Sequence, residues 1–123
     1  MSLCVVLLST TLAGCIIPDV PEGFDSPDPN RRLDAIVDAA ERGDRSAVRS
    51  LVILLESADA AARVLSIRTL EDLTGQTLGY DPYGSDRDRA DAVERWAAWL
   101  GEQDREGAEM RRQPPSSAGS QSP

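Results

Sequence analysis

Few side chains in this 123-residue chain could do chemistry, and their types limit what that chemistry would be. Cys4 and Cys15 both fall within the first fifteen residues, so they neither staple a downstream domain nor combine with a second cysteine pair to hold a metal. Histidine is absent. Serine triads, histidine-activated cysteine nucleophiles and histidine-containing metal sites are therefore excluded within this chain. Paired carboxylates can exchange protons with a substrate, but each Asp and Glu falls where a helix cap or a solvated helix face explains it. Asp81, Asp86, Asp88 and Asp91 lack the spacing of a calcium-binding loop, and Asp86 and Asp88 suit a helix N-terminus. The sequence assigns no catalytic residue, metal or cofactor, and implies no small-molecule substrate. Its candidate interaction residues are aromatic: Tyr80 and Tyr83 in an irregular stretch, and Trp99 near the end of an apolar helix.

Composition narrows the partners further. The net charge is −8, which argues against nucleic acid, because that binding depends on neutralising phosphates with basic groups. All 13 basic residues are arginine, the mark of a compositional bias in the genome. Leu3 to Ala13 (LCVVLLSTTLA) is an apolar run of about ten residues, long enough for the core of a signal peptide and too short to span a bilayer. The other reading of that run is a helix packed on the domain, which Gly14 and Pro18 would break.

Directly after the run, Leu12-Ala13-Gly14-Cys15 resembles a bacterial lipobox. The resemblance implies a leader over residues 1–14, lipidation of Cys15 and a mature chain held to a membrane without crossing it. Two or three acyl chains, at roughly 0.8 kcal/mol per buried methylene, would make that anchor stable. Ile16 is not the aspartate that favours inner-membrane retention, which leans toward the outer membrane in a Gram-negative cell. Residues 15–25, with Pro18, Pro21 and Gly23, describe the lipidated cysteine and a tether. Extended at about 3.1 Å per residue, the tether would reach some 30 Å. Phe24 could instead fold back onto the first helix.

Residues 26–100 carry the folded domain, and within it a short pattern occurs twice. Asp28, Arg32, Leu33 and Ile36 align with Asp59, Arg63, Val64 and Ile67, about thirty residues apart. A period in that range marks a helical-hairpin repeat. The pattern resembles a degenerate bacterial HEAT-like repeat of the PBS-lyase type, in which each unit opens Asp-x-x-x-Arg and its helices meet at Gly-Asp, here Gly43-Asp44. It implies an all-α, short α-solenoid of about four helices.

The spacing predicts a first helix from Pro29, capped by Asp28, facing inward with Leu33, Ile36, Val37 and Ala40 and ended by Gly43. A second runs from Asp44 or Arg45 to about Glu56, apolar on nearly all sides and hence sandwiched. Asp59 caps a third, whose inward face is Ala61, Val64, Leu65, Ile67 and Leu70. Arg32 and Arg63 are read as exposed or salt-bridging. Gly75 to Gly84 is either a functional loop or a cover in which Leu78, Tyr80 and Tyr83 pack inward. Ser85-Asp86-Arg87-Asp88 opens a fourth helix, which is expected to close over the third with Trp96 as its anchor. Both tryptophans could alternatively form a binding hot spot. Residues 101–123 show no apolar periodicity and are expected to be disordered. The sequence therefore suggests a membrane-anchored module of the cell envelope that binds another protein through a helix face. The alternative is a structural envelope lipoprotein whose domain is a folded spacer.

Overall fold

Each helix starts where its sequence offers an oxygen to the free amides of a first turn. The computed structural model describes residues 23–113, so Cys15, the leader over 1–14, the tether up to residue 22 and the chain after residue 113 lie outside it. In α1 (Pro29–Arg42) the Asp28 carboxylate accepts from Asn30 N at 2.9 Å, and Pro29 supplies a preset φ at the first helical position. Gly43 ends α1 in the left-handed region at φ 60, where Asp44 N donates to Ala39 O at 2.9 Å. Asp44 then opens a 3-10 turn (Arg45–Ala47) that leads directly into α2 (Val48–Leu54). Asp59 caps α3 (Ala60–Thr74) as Asp28 caps α1, and Gly75 closes it at φ 72. Ser85 caps α4 (Asp86–Arg112) by accepting from Asp88 N at 3.2 Å while donating to the Asp88 carboxylate at 2.6 Å. The domain is all-α, with four helices packed on one another and no strand among the described residues.

Residues 101–112, expected to be disordered, instead continue α4. Extending an existing helix requires no new nucleus. Glu, Gln, Arg, Ala and Met sustain it there, and Arg111 and Arg112 complement the dipole at its end. The missing apolar stripe shows that this extension lacks tertiary cover, and it says nothing against the helix itself. The exposed pair Arg49–Asp104, at 2.7 Å, ties α4 to α2 just beyond Leu100.

α1 and α2 both pack on α3, and α2 also meets α4. The core joins Ile36, Leu51, Leu55, Leu70 and Trp96, all essentially inaccessible, with Phe24 and several alanines around them. Alanines shift the buried stripe of α1 away from the expected one. It runs through Ala35, Ile36 and Ala39, while Val37 and Ala40 face out. In α3 the buried set includes Ala62 and Ser66, and small residues of this kind let helix backbones approach closely. The stripe Ala62, Ser66, Thr69 and Leu73 is buried, whereas of the residues 31 positions earlier (Arg31, Ala35, Asp38, Arg42) only Ala35 is. α3 has a helix beside it that α1 lacks, and α1 answers with charge on that side.

The duplicated pattern is also longer than Asp-x-x-x-Arg. Ser26 and Ser57 occupy equivalent places, their hydroxyls accepting from Asp28 N at 3.2 Å and Asp59 N at 3.1 Å. Arg32 then donates to Ser26 O at 2.7 Å and Arg63 to Ser57 O at 2.9 Å. Arg89, likewise fourth in its helix, donates to Gly84 O and pairs with Asp86. These arginines are neither free nor bridges between repeats. Each hooks the incoming chain to the helix it has just started, in a charge-assisted bond stronger than a neutral one.

The fourth helix does not close over the third as expected. Its principal contact is α2, and Val64 and Leu65 stay partly exposed. Trp96 is nonetheless completely buried, with Trp99 half-buried against it edge-on, ring centres 5.5 Å apart. Truncating Leu51 or Trp96 to alanine should each remove about 2–5 kcal/mol, from a total stability of order 5 kcal/mol for so small a domain. Both variants should lack a cooperative thermal transition by circular dichroism, and Trp99→Ala should retain one.

Candidate functional site

The three aromatic candidates separate in space. Tyr80 is buried, and its hydroxyl donates to Leu55 O at 2.6 Å. That carbonyl lies at the C-terminal cap of α2, a helix with no left-handed glycine to finish it. Tyr80 is therefore a packing and capping residue and is withdrawn from the interaction surface. The loop that carries it is an ordered cover: Arg95 donates to Leu78 O at 2.7 Å, and Tyr80 N closes a turn on Thr77 O at 3.0 Å. Of the three loop residues expected to pack inward, Leu78 and Tyr80 do so and Tyr83 does not.

Tyr83 is 80% exposed. The Asp81 carboxylate accepts from Tyr83 N at 2.9 Å and Asp81 O from Gly84 N at 3.1 Å, so a tight turn holds the ring outward. The ring forms one wall of an open groove of about 430 Å3 whose other walls are Ala60, Ala61, Val64 and Leu65 of α3. All five lining residues are apolar or aromatic. Trp99 lines a different groove, of about 250 Å3 between the start of α2 and α4, with Arg45, Arg49, Gln103 and Asp104. Arg45 there already donates to Leu73 O at 2.7 Å, at the C-terminal end of α3, and Arg49 pairs with Asp104. Polar groups in that second groove are mutually satisfied, which leaves the Tyr83 groove as the more open apolar surface.

Sequence reasoning placed Val64 and Leu65 on a covered face; both are partly buried and Leu65 packs against the core, yet both also line the open groove. Ala60, Ala61, Val64 and Leu65 recur at helical spacing outside the stripe Ala62, Ser66, Thr69 and Leu73. Two separate apolar stripes on one helix are the signal that two different surfaces contact it. Three of the four aspartates weighed for calcium are also accounted for locally: Asp81 holds the Tyr83 turn, Asp86 pairs with Arg89, and Asp88 accepts from Ser85. Among the described residues no group of His, Cys, Asp and Glu could hold a metal, and no helix is long and apolar enough to cross a membrane. Compared with protein-family models, curated proteins and solved structures, the chain matches none.

Burial pushes the Tyr80 hydroxyl above the usual tyrosine range. A folded-state value raised above the unfolded one adds stability that is fully present below about pH 10 and is lost as pH rises through the folded value. Tyr80→Phe should therefore flatten the alkaline fall in stability. It should also cost about 1–3 kcal/mol near neutrality, because Leu55 O loses its partner. Urea melts of both proteins at about pH 7 and about pH 10.5 would check the two effects together.

Proposed function

We propose that the protein is a lipid-anchored helical-repeat module of the bacterial cell envelope that binds another protein through the Tyr83 groove. The observation that carries this reading is the groove itself: an open, apolar trough on α3 with a tyrosine held upright at its rim. Tyrosine is among the residues that dominate binding energy, and this one stands exposed beside an apolar helix face. The partner it fits presents a short apolar surface, since all five residues lining the groove are apolar or aromatic. The 31-residue duplication of Ser-x-Asp-x-x-x-Arg supports the HEAT-like reading, in which stacked helix faces serve as binding surfaces. Anchoring rests on Leu12-Ala13-Gly14-Cys15 at the end of the apolar leader.

Inhibition of lipoprotein signal peptidase by globomycin should accumulate the unprocessed precursor, and Cys15→Ser should free the protein from membranes. Retention of Cys15→Ser in the membrane fraction after a carbonate wash would remove the anchor from this account. For the groove, a photo-crosslinking residue at Tyr83 in the anchored protein should give a discrete adduct that Val64→Asp abolishes and Trp99→Ala leaves intact. Val64 is partly exposed, so the substitution leaves the core in place. An unchanged adduct in Val64→Asp, or none at all in the parent, would leave the domain as a spacer without a partner.

A further inference from the structure

The two sides of the helix stack are treated differently by the chain. On the α1 side it covers its own apolar edge. Gly23 adopts φ +104, and an added Cβ there would lie 3.0 Å from Ala35 Cβ, so its backbone is pressed against α1. Phe24 follows it into the core, and the domain thus begins at Gly23, inside the stretch expected to be tether. On the α3 side none of the described residues covers the groove walled by Ala60, Ala61, Val64, Leu65 and Tyr83.

Charges of opposite sign border that groove along α3. Asp59 stands at the start of the helix, where its Oδ1 accepts from Ala61 N at 2.9 Å, which leaves Oδ2 for another donor. Arg68 stands at the other end, exposed and one turn beyond Val64 on the same face. The ion pairs among the described residues are Arg49–Asp104 and Arg89–Asp86, so neither Asp59 nor Arg68 is engaged in one. Farther along, Glu71 and Asp72 occupy the last turn of α3, against the helix dipole and with no base beside them, whereas α1 and α4 both end on arginine. A surface with an acid at one end, a base at the other and apolar residues between them is complementary to itself when turned end for end.

We propose that the occupant of the Tyr83 groove is a second copy of this chain, the two α3 helices docking antiparallel about a two-fold axis beside Val64. The proposal rests on the reading that this groove binds protein, and it names the partner. Asp59 and Arg68 are equidistant from the step between Arg63 and Val64. Helices crossing there lay Val64 against the partner's Val64 and set Arg68 of each copy against the partner's Asp59. Glu71 and Asp72 then point toward the positive N-terminal end of the partner's α3, which relieves their conflict with their own dipole. The two Tyr83 rings close the same side of the helix pair. Few side chains meet, against roughly 20–30 residues a side in a standard interface. The pair is therefore weak in dilute solution, and crosslinking in the cell reads it better than gel filtration.

Two differently tagged full-length copies, made in the same cell and each carrying an aromatic photo-crosslinking residue in place of Tyr83, test the pairing. Irradiation should give an adduct of twice the chain mass that carries both tags, linked within Ala60–Arg68 of the second copy. Arg68→Glu in both copies should lower that adduct about fivefold or more, because two exposed attractions become repulsions. The melt of the domain should not change, since Arg68 is exposed and in no ion pair there. A discrete adduct carrying one tag only overturns the proposal and leaves groove binding in place with a different partner. A doubly tagged adduct that Arg68→Glu leaves undiminished, or one linked outside α3, also overturns it. No adduct at all removes both readings.

Discussion

Everything in this domain is built around holding α2 in place. With seven residues it is about 10 Å long, well below the length at which an isolated helix is stable in water. Its stability is borrowed from its surroundings. Leu51 and Leu55 are fully buried, Val48, Val52 and Leu54 nearly so, and both α3 and α4 pack on it. Its ends are held as well, by the 3-10 turn that Asp44 opens and by the Tyr80 hydroxyl on Leu55 O. Burial of a short apolar helix on several sides forces the positions of the longer ones, since each must present an apolar face to the same few residues.

The chain has few aromatic residues with which to fill such a core, and it compensates with arginine. Arg32, Arg63 and Arg89 each return from the fourth position of a helix to a carbonyl that precedes it, and Arg45 and Arg95 bind Leu73 O and Leu78 O. A guanidinium carries five donors in a rigid fork, so it can satisfy backbone oxygens that the turn would otherwise leave open. The entry to each of α1, α3 and α4 is therefore fixed by a long side chain lying over its own first turn. Dense packing of the turns themselves is not needed.

The two ends of the stack differ in how they meet water. On the α1 side Arg31, Asp38 and Arg42 solvate the face, and Gly23-Phe24 covers the adjoining apolar edge. On the α3 side Tyr83 is exposed and Val64 and Leu65 are partly so, around an open groove. An uncovered apolar face is a liability in a spacer and an asset in a binding module, and this asymmetry is what gives the proposed function a direction. Extending α4 to Arg112 does not close that face, because α4 runs along α2.

Helix capping and the duplicated Asp-x-x-x-Arg pattern were legible in the residues. Asp28, Asp59, Ser85, Gly43 and Gly75 act through hydrogen bonds to amides or carbonyls a few positions away, so local sequence suffices to place the helix ends. The thirty-residue duplication and the amphipathic patterns likewise gave an all-α architecture with four helices. Which faces meet was decided only in three dimensions. The alanines of α1 displaced Val37 from the core because close approach of two helices favours small residues, a fact about the pair. Tyr80 and Tyr83 lie three positions apart in one loop, yet one reaches the α2 carbonyl 25 residues earlier and the other stands free. The partner of α4, the exposure of Val64 and the hooks made by the arginines depend on where separate helices come to rest. That outcome is set by burial summed over the whole chain, which no short stretch of sequence contains.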